Sequence, residues 1–88
     1  MKDDAHLACI DEVLSLVSEM EALQKHKVIE LARRIHPGIT SEDIRNPHDF
    51  PDLDDVDWQF EDGQLTGIES VTAALRALRE RWLSDREG

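Results

Sequence analysis

Cysteine occurs once in this chain, at Cys9, and tyrosine not at all; there are four glycines and three prolines among 88 residues. A single thiol excludes an intrachain disulfide framework and a cysteine-built zinc site, and it fits a reducing compartment. The scarcity of glycine leaves no phosphate-cradling loop, because Gly63 and Gly67 alone do not make one. It also leaves no flexible tether to a second domain. Basic residues are few: ten Lys and Arg face twenty Asp and Glu, for a net charge of −10. Phosphate backbones and anionic lipids demand clustered positive charge, so neither nucleic acid nor a membrane surface is an expected partner. No apolar run approaches the ~18 residues of a membrane span. The amino terminus opens with acids instead of the charged-then-apolar layout of a secretory signal. A cytoplasmic protein is expected.

What the chain does have is helix. No Gly or Pro interrupts it from Asp4 to Ile35. Apolar residues recur there at Leu7, Ile10, Leu14, Val17, Val28, Leu31 and Ile35, with a second stripe at Cys9, Val13, Leu16, Met20 and Leu23. Steps of three and four predict one long helix over residues 4–36. Its apolar arc is wider than the roughly 100° needed to cover one neighbour, so it should touch more than one partner helix. Apolar residues thin out between Glu21 and Lys27, which marks a candidate kink. Arg33, Arg34 and His36 suit the negative end of the helix dipole, and Pro37-Gly38 stops the helix.

Beyond the stop, Thr40 and Asp43 have capping-box spacing, and Asn46-Pro47 closes a short helix over 41–45. An acidic connector over 46–62 follows. Val56, Trp58 and Phe60 alternate with polar residues there, the period of an extended half-buried segment. Asp62-Gly63 reads either as a hairpin turn or as the cap of the last helix. The cap is favoured because Leu65, Ile68, Val71, Leu75, Leu78 and Trp82 follow at helical spacing, giving a final helix over 63–84. The expected fold is all-α, a single small domain: a helical hairpin with a short middle helix and a long acidic connector. Eighty-eight residues bury a thin core, so two copies are expected to dimerise into a four-helix bundle.

Candidate chemistry concentrates around that connector. The 23 residues from Thr40 to Asp62 hold nine carboxylates, one basic residue (Arg45) and three of the four Phe and Trp. Asp52, Asp54, Asp55 and Asp57 alternate like calcium ligands. However, an EF-hand loop begun at Asp52 or Asp55 has no Gly at its sixth position and no Glu at its twelfth. The histidines (His6, His26, His36 and His48) lie far apart with no transition-metal spacing. The all-helical nucleotide pyrophosphohydrolases need carboxylates three apart on facing helices. The helical acids Asp11, Glu12, Glu19, Glu21, Glu30, Glu69 and Glu80 contain no such pair. Cys9 extends an apolar stripe, which predicts a buried, inert thiol. No metal, cofactor or catalytic residue is assigned.

From His36-Pro37 through the short helix and Pro47 to Gly67-Ile68, the order of elements and the acidity resemble the colicin nuclease immunity proteins. The resemblance implies an acidic helical inhibitor of a basic protein. That family sets paired tyrosines before the proline, where this chain has Arg45-Asn46, so no site residues are carried over.

The function expected from the residues is noncatalytic: a small interaction or regulatory homodimer. It would bind a protein partner, basic in character, through Asp52, Asp54, Asp55, Asp57 and Trp58. The alternatives are a small metal-dependent enzyme or divalent-cation-binding protein using the same carboxylates, and an immunity-protein-like inhibitor.

Overall fold

The computed structural model describes residues 2–87 as two long helices joined by a chain of 3-10 turns. Helix α1 spans Lys2–Ile35 and helix α2 spans Val56–Glu87. They run antiparallel, giving a rod of 53 × 20 × 19 Å. The helical hairpin expected from the sequence is present.

Helix α1 ends where the sequence placed its stop. Arg33 and Arg34 occupy the last turn, the His36 N–H donates to the Ala32 carbonyl at 2.7 Å, and Gly38 adopts φ 89°. A left-handed residue just past the helix is the usual glycine terminator, because a Cβ is strained there. The polar band from Glu21 to Lys27 does not break the helix, which passes through it without interruption.

Thr40 and Asp43 form a reciprocal capping box. The Asp43 N–H donates to Thr40 Oγ1 at 3.2 Å, and the Thr40 N–H donates to Asp43 Oδ2 at 3.0 Å. The segment they start is shorter than the expected 41–45 helix: a single 3-10 turn over Asp43–Arg45. Pro47 supplies no N–H to carry the helix further, and restarts the chain as the first residue of a second turn. Pro51 does the same for a third, Pro51–Leu53. Backbone bonds from Asn46, Phe50 and Asp54 to the carbonyls three residues earlier close the turns at 3.0–3.1 Å.

The main departure from expectation is the start of α2. The segment expected to stay extended to Asp62 is helical from Val56, and Asp62-Gly63 is neither a turn nor a cap. Exposure explains why the alternation misled. In a strand Val56, Trp58 and Phe60 share one face. Here Trp58 is 2% exposed while Val56 and Phe60 are 81% and 62% exposed. At 100° per residue Trp58 stands about 200° from both, so the same three residues satisfy a helix with one inward and two outward side chains.

The seam follows a heptad. Residues facing α2 fall alternately three and four apart from Leu7 through Leu14, Glu21 and Val28 to Ile35. Those facing α1 run likewise from Trp58 through Leu65, Thr72 and Arg79 to Trp82. This 3.5-residue period is that of a two-stranded coiled coil. Polar groups in the seam are matched across it. Gln24 Nε2 donates to the Glu61 carbonyl at 2.9 Å and to Glu61 Oε2 at 2.6 Å. Thr72 Oγ1 donates to Glu21 Oε1 at 3.2 Å, and Arg79 Nε meets Asp11 Oδ1 at 2.6 Å. The thin apolar stretch read as a candidate kink is thus a polar layer between the helices.

The core sits at the turn end. Val28, Ala32, Ile39, Leu53, Trp58 and Leu65 form one buried cluster, flanked by Ile35, Ile44 and Phe50. Ile39 and Leu53 fold the connecting turns back onto the helices.

Candidate functional site

Three of the four candidate acids have a hydrogen-bond partner that fixes where they point. Asp55 is the N-terminal cap of α2, its Oδ1 accepting the Trp58 N–H at 2.9 Å. Asp54 Oδ1 accepts from Gln59 Nε2 at 2.9 Å. Asp52 Oδ2 lies 2.8 Å from His36 Nδ1, and the His36 ring stands edge-on to Phe50 at 5.1 Å. Asp57 is exposed in the first turn of α2, where a negative charge suits the helix dipole. Asp52, Asp54 and Asp57 therefore present negative charge to solvent.

Trp58 does not join them. Its indole Nε1–H donates to the Val28 carbonyl at 3.3 Å inside the core, so the expectation that it contacts a partner is corrected: it is a packing residue. Nor do the carboxylates converge. Among the described residues no three His, Cys, Asp or Glu side chains are grouped to hold a metal ion. His48 pairs only loosely with Asp49, at 3.6 Å.

A cleft of about 620 Å³ lies beside the turns. Its lining includes Lys25, His26, Arg45, Asp62 and Glu69 together with Ile29, Ile44 and Leu65. Burial pushes the Asp62 carboxyl above its ordinary range, and the charge of Glu69 adds to the rise. Glu21 moves the other way: its bond to Lys25 lowers it most, against some desolvation, with the Thr72 hydroxyl helping.

The second apolar stripe of α1 faces away from α2. It was expected to meet further helices, yet inside the hairpin α1 has one long neighbour. Val13, Leu16, Met20 and Leu23 are 40–69% exposed. Cys9, expected to be buried, is exposed with them. The equivalent heptad positions of α2 hold Phe60, Gln64, Gly67, Val71, Ala74 and Leu78. In an antiparallel pair these flanks lie on the same side, and a mostly apolar groove of about 330 Å³ lined by Val17, Met20, Gln64, Gly67, Ile68 and Val71 joins them. Of seven exposed large apolar side chains among the described residues, six (Val13, Leu16, Met20, Leu23, Phe60 and Val71) fall on this one face. From Cys9 to Leu23 and from Phe60 to Leu78 its positions carry no charge, in a chain of net charge −10.

Gly67 stands on that face in mid-helix, where glycine costs ~1 kcal/mol relative to alanine. A Cβ added there would meet nothing within 4 Å, so nothing within the hairpin requires a glycine. The sequence signal for this face was the width of the apolar arc of α1. The matching half on α2 was hidden because Gly67 and Ala74 are not read as apolar contacts.

Comparison with protein-family profiles, with curated proteins and with solved structures finds no match.

Proposed function

We propose that the chain is a noncatalytic interaction protein that self-associates as a homodimer, two hairpins forming a four-helix bundle, and engages a basic protein through the carboxylates at its turn end. The observation that carries this reading is the charge-free apolar face. Six large side chains at roughly half exposure present on the order of 600 Å² of apolar surface, about the most that a monomer leaves bare. That is close to the roughly 800 Å² each partner contributes to a standard interface. The polar groups of the seam are used to join α1 to α2, and the acids of the turns are used to cap and pair. Neither set is arranged around a reacting atom.

Self-association is tested by sedimentation equilibrium. The expected species has about twice the 10.1 kDa chain mass at tens of micromolar, and a 10.1 kDa species at high micromolar concentration overturns it. The turn end is tested with Asp52→Asn, Asp54→Asn and Asp57→Asn together, leaving the Asp55 cap in place. Affinity capture from lysate with this variant should recover less of a basic protein than wild type, and equal recovery overturns that half of the reading.

A further inference from the structure

The cleft beside the turns gathers charged side chains that the hairpin itself leaves without partners. Its two acids, Asp62 and Glu69, come from α2; its Lys25 comes from α1 and its Arg45 from the first turn. Lys25 is held by Glu21 at 3.2 Å, so its charge is already matched. Among the described residues, no hydrogen bond or ion pair reaches the side chains of Arg45, Asp62 or Glu69. With His26 counted as neutral, the unmatched charge of the cleft is two acids against one base, in a chain of net charge −10.

Asp62 is half-buried. Its backbone carbonyl accepts the Thr66 hydroxyl, while its carboxylate accepts nothing from a described residue. A partly desolvated charge without a partner costs free energy, and such groups gather where a ligand supplies what the fold does not. The rise of its pKa on burial reports the same cost. A second cleft, of about 550 Å³, is also lined by Pro47 and Asp62, together with Phe50, Asp54 and Gln59. Asp62 therefore stands where the two clefts meet.

The volume and position of the first cleft suit an occupant from another molecule. Its 620 Å³ falls within the roughly 300–1,000 Å³ of ligand sites, and Ile29, Ile44, Pro47 and Leu65 give it apolar walls. By helical position Lys25 and Ile29 on α1, and Asp62 and Glu69 on α2, lie across the seam from Leu16, Met20 and Val71. The cleft thus stays open when two copies meet through the bare face.

An arginine side chain meets these conditions together. Its stem packs on apolar walls while its head reaches a carboxylate. The guanidinium is more weakly hydrated than an ammonium, which suits a half-buried acid. Arginine is also enriched among the side chains that dominate interface energies.

Resting on the reading of a basic partner given above, we propose that this cleft is the anchor pocket for an arginine side chain of that partner. Asp62 is the principal carboxylate, Glu69 the second, and Ile44 and Leu65 are the walls against which the stem packs. Asp52, Asp54 and Asp57 on the surface then steer the approach, and Asp62 holds what arrives. Arg45 lines the same cleft and repels the incoming guanidinium, so it limits how tightly the pocket binds.

The probe is N-acetyl-arginine methylamide, titrated into the full chain at physiological salt and followed by amide chemical shifts. Saturable shifts at Ile44, Asp62, Leu65 and Glu69 are expected, with a dissociation constant of about a millimolar. N-acetyl-norleucine methylamide keeps an apolar stem without the charge and should bind about tenfold more weakly. Asp62→Asn should weaken the arginine probe about tenfold. That substitution removes an uncompensated charge and should not lower stability, so loss of the fold does not account for the effect. Glu12→Gln combined with Glu19→Gln removes two charges elsewhere on α1 and should leave the affinity within about twofold. Arg45→Gln should tighten binding roughly twofold.

A loss from the Glu12 and Glu19 variant as large as that from Asp62→Asn, or equal binding of the norleucine analogue, overturns the anchor. Tighter binding of N-acetyl-glutamate methylamide at the same residues, abolished by Arg45→Gln, overturns it as well and makes the cleft an anion site. No saturable shift anywhere overturns it outright. Shifts confined to Asp52, Asp54 and Asp57 overturn the anchor and leave the basic-partner reading standing. Arginine binding in the cleft by a chain that captures no basic protein from lysate supports the pocket and overturns that reading instead.

Discussion

The indole of Trp58 donates its Nε1–H to the backbone carbonyl of Val28 at 3.3 Å, joining the first turn of α2 to the last third of α1. Val28 is fully buried and Trp58 is 2% exposed, so this pair is where the returning helix is anchored. Leu53 and Ile39 pack around it from the turns. Trp58→Ala should therefore cost about 3–5 kcal/mol, the range for deleting a buried aromatic. Trp58→Phe should cost less, keeping most of the apolar volume while losing the hydrogen bond. Urea denaturation of the two variants checks the order, and equal midpoints for Trp58→Ala and wild type would remove the anchor from the account.

Asp55 and Asp57 differ in kind although they lie two residues apart. Asp55 Oδ1 takes the Trp58 N–H, one of the amides that a helix start leaves without a partner. Asp57 offers only charge near the dipole. Asp55→Ala should destabilise by about 1 kcal/mol, and Asp57→Ala by a few tenths at low salt. Amide exchange at Trp58 and Gln59 should quicken in the first variant alone.

The elements that were legible in the sequence are those whose signals are local. The apolar steps along α1, the Pro37-Gly38 stop and the Thr40 and Asp43 capping box each depend on residues within one or two turns of one another, and all are present. The start of α2 was not legible, because a five-residue alternation around Trp58 fits both a strand and a helix with one inward residue. Only the distant Val28 carbonyl and the pocket made by Leu53 and Ile39 decide between them. The polar band of α1 was ambiguous for a similar reason: Gln24 suggests a break until Glu61, 37 residues away, is known to face it. Among the candidate site residues, Asp52, Asp54 and Asp57 were placed on the surface by their charge alone. Trp58 was misassigned because burial depends on what the turns fold onto.

The Gln24 to Glu61 contact sets the alignment of the two helices at a level where apolar packing is interrupted. A polar layer of this sort typically lowers stability while fixing register. Gln24→Leu combined with Glu61→Leu should raise the denaturation midpoint, because two apolar groups replace a desolvated pair at little cost. It should also broaden the methyl resonances of Leu65 and Ile68 as neighbouring registers become accessible. Gln24→Ala alone should lose about 1–2 kcal/mol by leaving the layer underfilled and Glu61 without its donor. A double variant that is less stable than wild type would contradict the specificity role.

Asp62 gives the chain a stability term of opposite sign to the usual carboxylate. Desolvation raises its pKa in the folded hairpin and Glu69 raises it further, so the folded state binds its proton more tightly than the unfolded chain does. The favourable contribution is fully present below the unfolded carboxyl pKa, near 4, and is lost as pH rises through the higher folded value. At neutral pH an ionised Asp62 therefore costs stability. Asp62→Asn should stabilise the fold at pH 7, and so raise the melting temperature, by well under about 1 kcal/mol of unfolding free energy, because the carboxyl remains partly in water. The gain should shrink as pH falls through the folded pKa and vanish below about pH 4. Glu69→Gln should reproduce a smaller part of the same effect, since its charge is the second cause of the rise. Thermal melts of wild type and both variants from pH 3 to pH 8 check the window. A benefit of Asp62→Asn that is independent of pH would place its origin in packing or helix propensity instead of charge.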